Sequence, residues 1–373
     1  MEPLSSGERL VRCLIGEPVD RVPFGIGLGW APWGETMERW RRESGNPQLH
    51  LARELGYDPD FAVPHHQGDR RVFHAGIFPY FERQVLAEDA ETVTYRDGNG
   101  ITKRDRRDGG SMPEFLDYPV KTPADWERLK AERLDPQMPG RLVVDWHAFR
   151  ARLRETGQAV QVGWFPYGVF GTPRDFMGAE EILIAFYEYP DMVRDMMQHL
   201  TTLWLELWKQ VAREVQIDHI HIWEDMSGRQ GSLISPAMVE SFMMPCYDRI
   251  AEFAIDHGVR VVSVDTDGDC GQLVPIMVKH GITMFFPFEV QAGNDVRVYR
   301  QRYPTLGIVG GLDKRALADS RAAIDAEVER AAWMLAHGGR YIPAFDHLIP
   351  PDVPWDLFQY AAGRLREVCG AAR

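Results

Sequence analysis

The sequence predicts an α/β protein: a single closed (β/α)8 barrel of the TIM type, with a β-rich insertion in its N-terminal third. Three observations predict it. From about residue 141 onward, amphipathic helical stretches alternate six times with short apolar runs across short connections, the rhythm of a parallel sheet with crossover helices. Acidic residues follow five consecutive apolar runs, at the strand ends where such sheets carry their chemistry. No credible nucleotide-binding turn is present, which favours a closed barrel over an open doubly wound sheet.

The elements follow in order. Residues 5–16 read as a helix capped by Ser5 or Ser6, with Leu10, Val11, Leu14 and Ile15 on its apolar face. Residues 22–29 read as the first strand. Its Gly25, Gly27 and Gly29 lead into Trp30, Ala31 and Pro32, so no helix N-terminus follows to hold a pyrophosphate. Residues 35–55 read as helical and 58–64 as a further strand. Residues 66–120 alternate with period two around Asp97, Gly98, Asn99 and Gly100, a hairpin signal, and form an insertion with no core of its own. Proline breakers make 118–139 a linker with one short helix at 122–130. Helices are then expected at 142–155, 190–214, 236–257, 271–280, 294–302, 319–337 and 354–368. Strands are expected at 159–165, 217–223, 259–264, 282–287, 306–310 and 340–344, so that 1–373 is one domain with eight strands available.

Composition narrows the function classes. The chain has 373 residues, 45% hydrophobic and 26% charged, enough for one large barrel. Its net charge of −13 disfavours non-specific binding to nucleic acid or to an anionic membrane. Cys13, Cys246, Cys270 and Cys369 are far apart and form no CxxC, which argues against a disulfide scaffold and for a reducing, cytoplasmic setting. The N-terminus is too polar for a signal peptide, and no run of about 18 apolar residues occurs, so a soluble protein is expected.

The chemistry centres on 261–270, where a buried strand runs into Asp265, Thr266, Asp267, Gly268 and Asp269. Other strand ends carry Glu224 and Asp225, Glu289, Asp313 and Lys314, and Asp346 and His347. Carboxylates converging on one mouth repel one another unless a metal, a cation or shared protons compensate. Set beside Asp265, Asp267 and Glu289, His347 could complete a metal site of two of these carboxylates plus a histidine. His219 and His221 have a spacing that chelates zinc, and equally suit two inward-facing histidines with polar partners. The acid-rich turn is not an EF-hand, since its sixth position is Cys270 and its twelfth Ile276. Trp30, Trp33, Trp164, Phe165 and Tyr167 lie near early strand ends and either wall an apolar pocket or fill the core.

Several spaced motifs resemble the uroporphyrinogen decarboxylase superfamily: GTPRDFMGAEE at 171–181, WEDMSGRQGSLISPAMVESFMMP at 223–245, FEVQAGND at 288–295, GGLDKRAL at 310–317 and FDHLIPPDVP at 345–354. The resemblance implies one (β/α)8 barrel, a site at the strand carboxyl ends and a homodimer. It also implies one of two chemistries. True decarboxylases of the family carry an arginine-rich segment after the first strand that grips the acid groups of a tetrapyrrole. Here residues 25–38 contain no basic residue, and an eightfold carboxylate entering an acidic mouth is electrostatically disfavoured. The other branch passes methyl groups between small substrates and a corrinoid protein or a thiol, often with zinc held by a His-x-Cys pair and a later Cys. The positions that look like those ligands are Asp265, Asp267 and His347. Lacking thiolates, they would give zinc or another divalent metal a harder oxygen and nitrogen set, with Glu224 or Glu289 helping.

The resemblance thus implies a methyltransferase using cobalamin on a partner protein, with Asp265, Asp267, His347 and Glu224 as catalytic residues. Trp30, Trp164, Tyr167, Arg174 and Asp313 are its expected substrate contacts. The competing readings are a porphyrinogen-type decarboxylase and a non-catalytic binding barrel.

Overall fold

A computed structural model describes residues 3–107 and 112–371. Its centre is a six-stranded parallel sheet whose spatial order follows the chain: Gln161–Val162, His219–Trp223, Val261–Asp265, Met284–Phe286, Gly307–Val309 and Tyr341–Ile342. Each neighbouring pair is parallel, and helical segments connect successive strands, so all six carboxyl ends lie at one end of the sheet. The strands are shorter than the apolar runs that predict them, but each lies where one was expected.

Side-chain alternation divides the sheet into two faces. Ser263 meets His219 and His221 on one face, while Val262, Val264, Ile220 and Ile222 of the same strands are buried in the apolar core. Asp265 therefore shares the face of Ser263. The longest helix, Pro190–Ala212, buries Val193, Met196, Met197, Leu200, Leu203 and Leu207, the spacing of one helical stripe. Each such side chain contributes roughly 1.5–3 kcal/mol through lost water contact.

The N-terminal helix, Ser6–Ile15, starts as expected: the Ser5 hydroxyl accepts the Glu8 N–H, and Gly16 ends the helix with φ 77°. The expected strand at 22–29 is not formed as a ladder. Gly25 and Gly27 take φ 77° and 96°, which breaks the extended backbone, and Leu28–Trp30 closes into a 3-10 turn. Local hydrogen bonds remain: Asp58 N–H donates to Phe24 O at 2.8 Å, and Ala62 N–H to Ala159 O at 2.8 Å. The expected strand at 58–64 is thereby reduced to the bridge of Ala62 with Val160, and Pro32 forms a parallel bridge with Ile349.

The single helix expected at 35–55 is two, Gly34–Glu43 and Leu51–Leu55. Gly45 at φ 66° and Pro47 stop the first. The expected helix at 236–257 carries a π-turn at Val239–Met243, just before Pro245. Pro245 has no N–H to give, and the Ser241 carbonyl accepts instead from Arg194 at 2.6 Å.

The insertion holds a short hairpin, His66–Gln67 with Arg70–Arg71, and a four-stranded antiparallel meander of Gln84–Glu88, Thr92–Arg96, Thr102–Arg106 and Glu114–Asp117. The turn falls where expected. Arg96 pairs with Thr102, and the Asp97 carboxylate accepts the N–H groups of Asn99 and Ile101 at 2.9 and 3.0 Å. Among the described residues, no helix is long and apolar enough to cross a membrane.

Candidate active site

A cavity of about 290 Å³ lies against the Ser263 face of the sheet. Its apolar wall comes from Leu10, Leu14, Ile26, Met284, Phe286 and Val309, and its aromatic wall from Phe61, Trp164 and Phe165. Trp164 and Phe165 are 46% and 57% exposed, which sets them at the open side. The polar lining is Asp60, Gln161, His219, His221 and Asp265, and no lysine or arginine is among the lining residues.

Ser263 joins the two histidines. Its Oγ lies 2.6 Å from His219 Nε2 and 3.1 Å from His221 Nδ1. A hydroxyl has one proton, so it donates to one imidazole and accepts from the other, and the two tautomers are locked together. Burial keeps both rings neutral: His221 is pushed down to about 4 and His219 well below its ordinary value. Phe61 packs on His219 and Phe286 on His221, with ring centroids 4.4 and 5.3 Å apart.

Asp265 ends its strand on the same face. Among the described residues, no hydrogen bond reaches its carboxyl group. Burial, then the charges of Asp267 and Asp225, push its pKa well above the usual carboxylate range. Asp60 is solvent-exposed, and its carboxylate accepts the Phe61 N–H at 2.7 Å.

Beside the cavity, the structure brings Asp267 and His347 together at 3.4 Å between Oδ2 and Nε2. The Asp267 hydrogen bond raises the imidazole pKa, partly offset by burial. Glu289 accepts the Gly268 N–H at 3.0 Å and faces Lys314 at 3.6 Å. Lys314 also lies 3.7 Å from the fully buried Asp346, which accepts the N–H groups of Val290 and Lys314 at 2.8 and 3.2 Å. A lysine thus supplies the cation that converging acids require.

The donor set does not fit a metal. Among the described residues, no three His, Cys, Asp or Glu side chains are arranged to hold one. Asp265, Asp267, Glu289 and His347 therefore do not form the ligand cluster expected from sequence, and His219 and His221 share a serine instead.

The other expected residues lie elsewhere. Glu224 is fully buried and accepts the N–H groups of Val169, Phe170 and Gly171 at 2.9, 2.6 and 3.1 Å, and the Tyr247 hydroxyl at 2.6 Å. These bonds occupy both of its oxygens, and they tie the loop at 169–171 to the strand end. Trp30 is in the core, its indole N–H donating to Pro343 O at 3.0 Å. Arg174 lies over the Trp223 ring at 4.9 Å and pairs with Asp225 at 2.7 Å. Asp313 is held by Arg315 at 2.6 Å. Tyr167 packs beside Gly76 and lies outside the cavity lining; its carbonyl accepts the Trp223 N–H at 2.9 Å. Of the five expected substrate contacts, only Trp164 lines the cavity. Asp60, Phe61 and Gln161 line it without having been chosen, and His219 and His221 take the second of their two expected roles, inward-facing histidines with a polar partner. The signal for the two histidines was the period-two pattern of HIHIW, whose polar residues face inward.

Residues 100–367 match the family model of uroporphyrinogen decarboxylase (URO-D). The chain belongs to that enzyme family. Among solved structures, a methyltransferase from Methanosarcina mazei matches over 98% of this chain and 99% of its own, at a TM-score of 0.58 and 17% identity. At that identity the likeness is one of fold. No curated protein sequence matches the chain.

Proposed function

We propose that this chain is a methyltransferase that takes a methyl group from a small methylated substrate and passes it to a corrinoid on a partner protein or to a thiol. One observation carries the reading: a cavity of about 290 Å³ with no lining cation, bounded at the strand carboxyl ends by Asp265. That volume is at the small end of the roughly 300–1,000 Å³ usual for ligand sites, which suits a compact substrate. A tetrapyrrole with eight carboxylates would find no lysine or arginine on this lining.

Asp265 is the residue best suited to act on the methyl-bearing heteroatom. No protein hydrogen bond occupies its carboxyl and burial raises its pKa, which suits it to give a proton to a neutral methyl-bearing atom or to pair as carboxylate with a cationic one; in either case the demethylated product leaves as a neutral molecule. His219, Ser263 and His221 fix the polar floor below it, and Trp164 and Phe165 exclude water at the open side. Asp267, paired with His347, keeps the neighbouring charge in place. The acceptor supplies the nucleophile when it docks. No metal step is drawn, because the acids and His347 do not assemble as ligands.

The same reading includes closure of the sheet into a (β/α)8 barrel by 22–29 and 58–64. The bonds of Phe24 with Asp58 and Ala62 with Ala159, and the Pro32–Ile349 bridge, support that closure. It also includes a homodimer in a cytoplasmic setting, the latter supported by four free, buried cysteines.

The test is a panel of methyl ethers, methylated amines and methyl thioethers, each mixed with purified protein and cob(I)alamin or a thiol. The expected result is methylcobalamin or a methyl thioether with at least one donor class. Conversion of uroporphyrinogen to coproporphyrinogen, with no methyl transfer from any donor, would overturn the reading.

A further inference from the structure

The polar groups of the cavity differ from those of an ordinary neutral pocket. Two carboxyl groups, Asp60 and Asp265, line it, with no lysine or arginine among the lining residues. Lys314 serves Glu289 and Asp346 at the neighbouring cluster and is not part of this lining. Neither histidine provides a compensating charge, since burial keeps both neutral. Four aromatic rings share the lining with these acids: Phe61, Trp164, Phe165 and Phe286.

A separate observation also points to a ligand. His221 is 7% exposed and lines the cavity, yet only its Nδ1 has a protein partner, the Ser263 hydroxyl. Its Nε2 is not among the sealed, unpartnered polar atoms, as His219 Nδ1 is, so it is open to whatever occupies the cavity. One nitrogen fixed by serine and the other open is the arrangement of a ligand-reading histidine.

We propose that the cavity selects a methylated ammonium compound: a small tertiary or quaternary amine bound as its cation, with its nitrogen against Asp265 and its methyl groups against the aromatic wall. This rests on the methyltransferase reading for its meaning as a substrate class, and specifies nitrogen as the methyl-bearing atom. The physical case is direct. A carboxylate in a closed site attracts a cation more strongly than in water, and aromatic faces bind alkylammonium groups through their quadrupoles. A neutral ether or thioether would leave Asp265 unmatched, and an anion would be repelled by it and by Asp60. A quaternary or already protonated tertiary ammonium enters as the cation, the proton of Asp265 is released to solvent, and the resulting carboxylate holds the cation, so charge balances within the site. The His221 Nε2 is left for a polar group elsewhere on the ligand.

The test compares choline with 3,3-dimethylbutan-1-ol, which has the same shape without the charge, by isothermal titration calorimetry on the full chain. Choline is expected to bind at least tenfold more tightly. Asp265→Asn, which keeps the size of the side chain, is expected to abolish that preference while its thermal melt stays near wild type. Trp164→Ala, at the open side of the cavity, provides a second variant and is expected to weaken choline more than the alcohol. Equal affinity for the two probes, or binding of neither, overturns the proposal and leaves methyl transfer from a neutral donor open. Clear preference for choline without methyl transfer from any donor overturns the methyltransferase reading and leaves the cation site standing.

Discussion

His347 and Asp267 show how one contact sets a charge. The neutral form of the imidazole would leave the carboxylate of Asp267 without its partner, so the protonated form is favoured and the folded-state pKa rises. The stabilising contribution is complete below the unfolded histidine value of about 6.5 and is lost as pH rises through the raised folded value. Asp267→Asn removes the partner charge. The His347 titration midpoint, followed by NMR of the imidazole carbon-bound protons, is then expected to fall; an unmoved midpoint would show that Asp267 does not control it. Glu224 makes the opposite case, a carboxylate used as an anchor. Glu224→Ala leaves three buried N–H groups and the Tyr247 hydroxyl without their acceptor, so a loss of about 3 kcal/mol or more is expected in urea unfolding. A loss below 1 kcal/mol would show that water replaces the carboxylate.

Between neighbouring strands, the paired histidines depend on a single hydroxyl. Ser263→Ala leaves His219 Nε2 and His221 Nδ1 unpaired in a buried place, and a cost of about 1–3 kcal/mol is expected from thermal or urea melts. The same change frees the two tautomers from each other, which nitrogen-15 shifts of the imidazoles read directly; retained coupling would contradict the hydrogen-bond assignment. Legibility also divides at this scale. Helices with polar caps and glycine ends were readable, as Ser5 and Gly16 illustrate, because capping is local chemistry. The hairpin at 97–101 was readable for the same reason. The first strand was not, since its apolar alternation looks extended while Gly25 and Gly27 turn the backbone to positive φ. Which acids point into a cavity was also hidden. Glu224 directly follows one strand and Asp265 ends its neighbour, yet one is consumed by backbone donors from 169–171 and the other is left open, a difference made by a distant loop.

For the molecule as a whole, the parallel sheet was legible because the alternation of helix and strand repeats across more than half of the chain, and the family match spans 100–367. A pattern of that length outweighs errors at single boundaries. The cavity was less legible, because it is assembled from residues between Leu10 and Val309 that are far apart in the chain and meet only in the folded structure. Sequence placed the acids and His347 at one end, and Asp267 and His347 do meet there. It placed Lys314 at the same end but did not show which acids that lysine would meet, or that aromatic rings would share a lining with Asp265. The central claim is that this acid-lined, aromatic-walled space holds a small methyl donor against Asp265. Its most direct test is single-turnover transfer of a carbon-13 methyl group from a methylated ammonium donor to cob(I)alamin, read by carbon-13 NMR in wild type and Asp265→Asn. The account expects labelled methylcobalamin from the wild type and at least a hundredfold slower transfer from the variant, while equal rates in the two proteins, or label remaining on the donor in both, would contradict it.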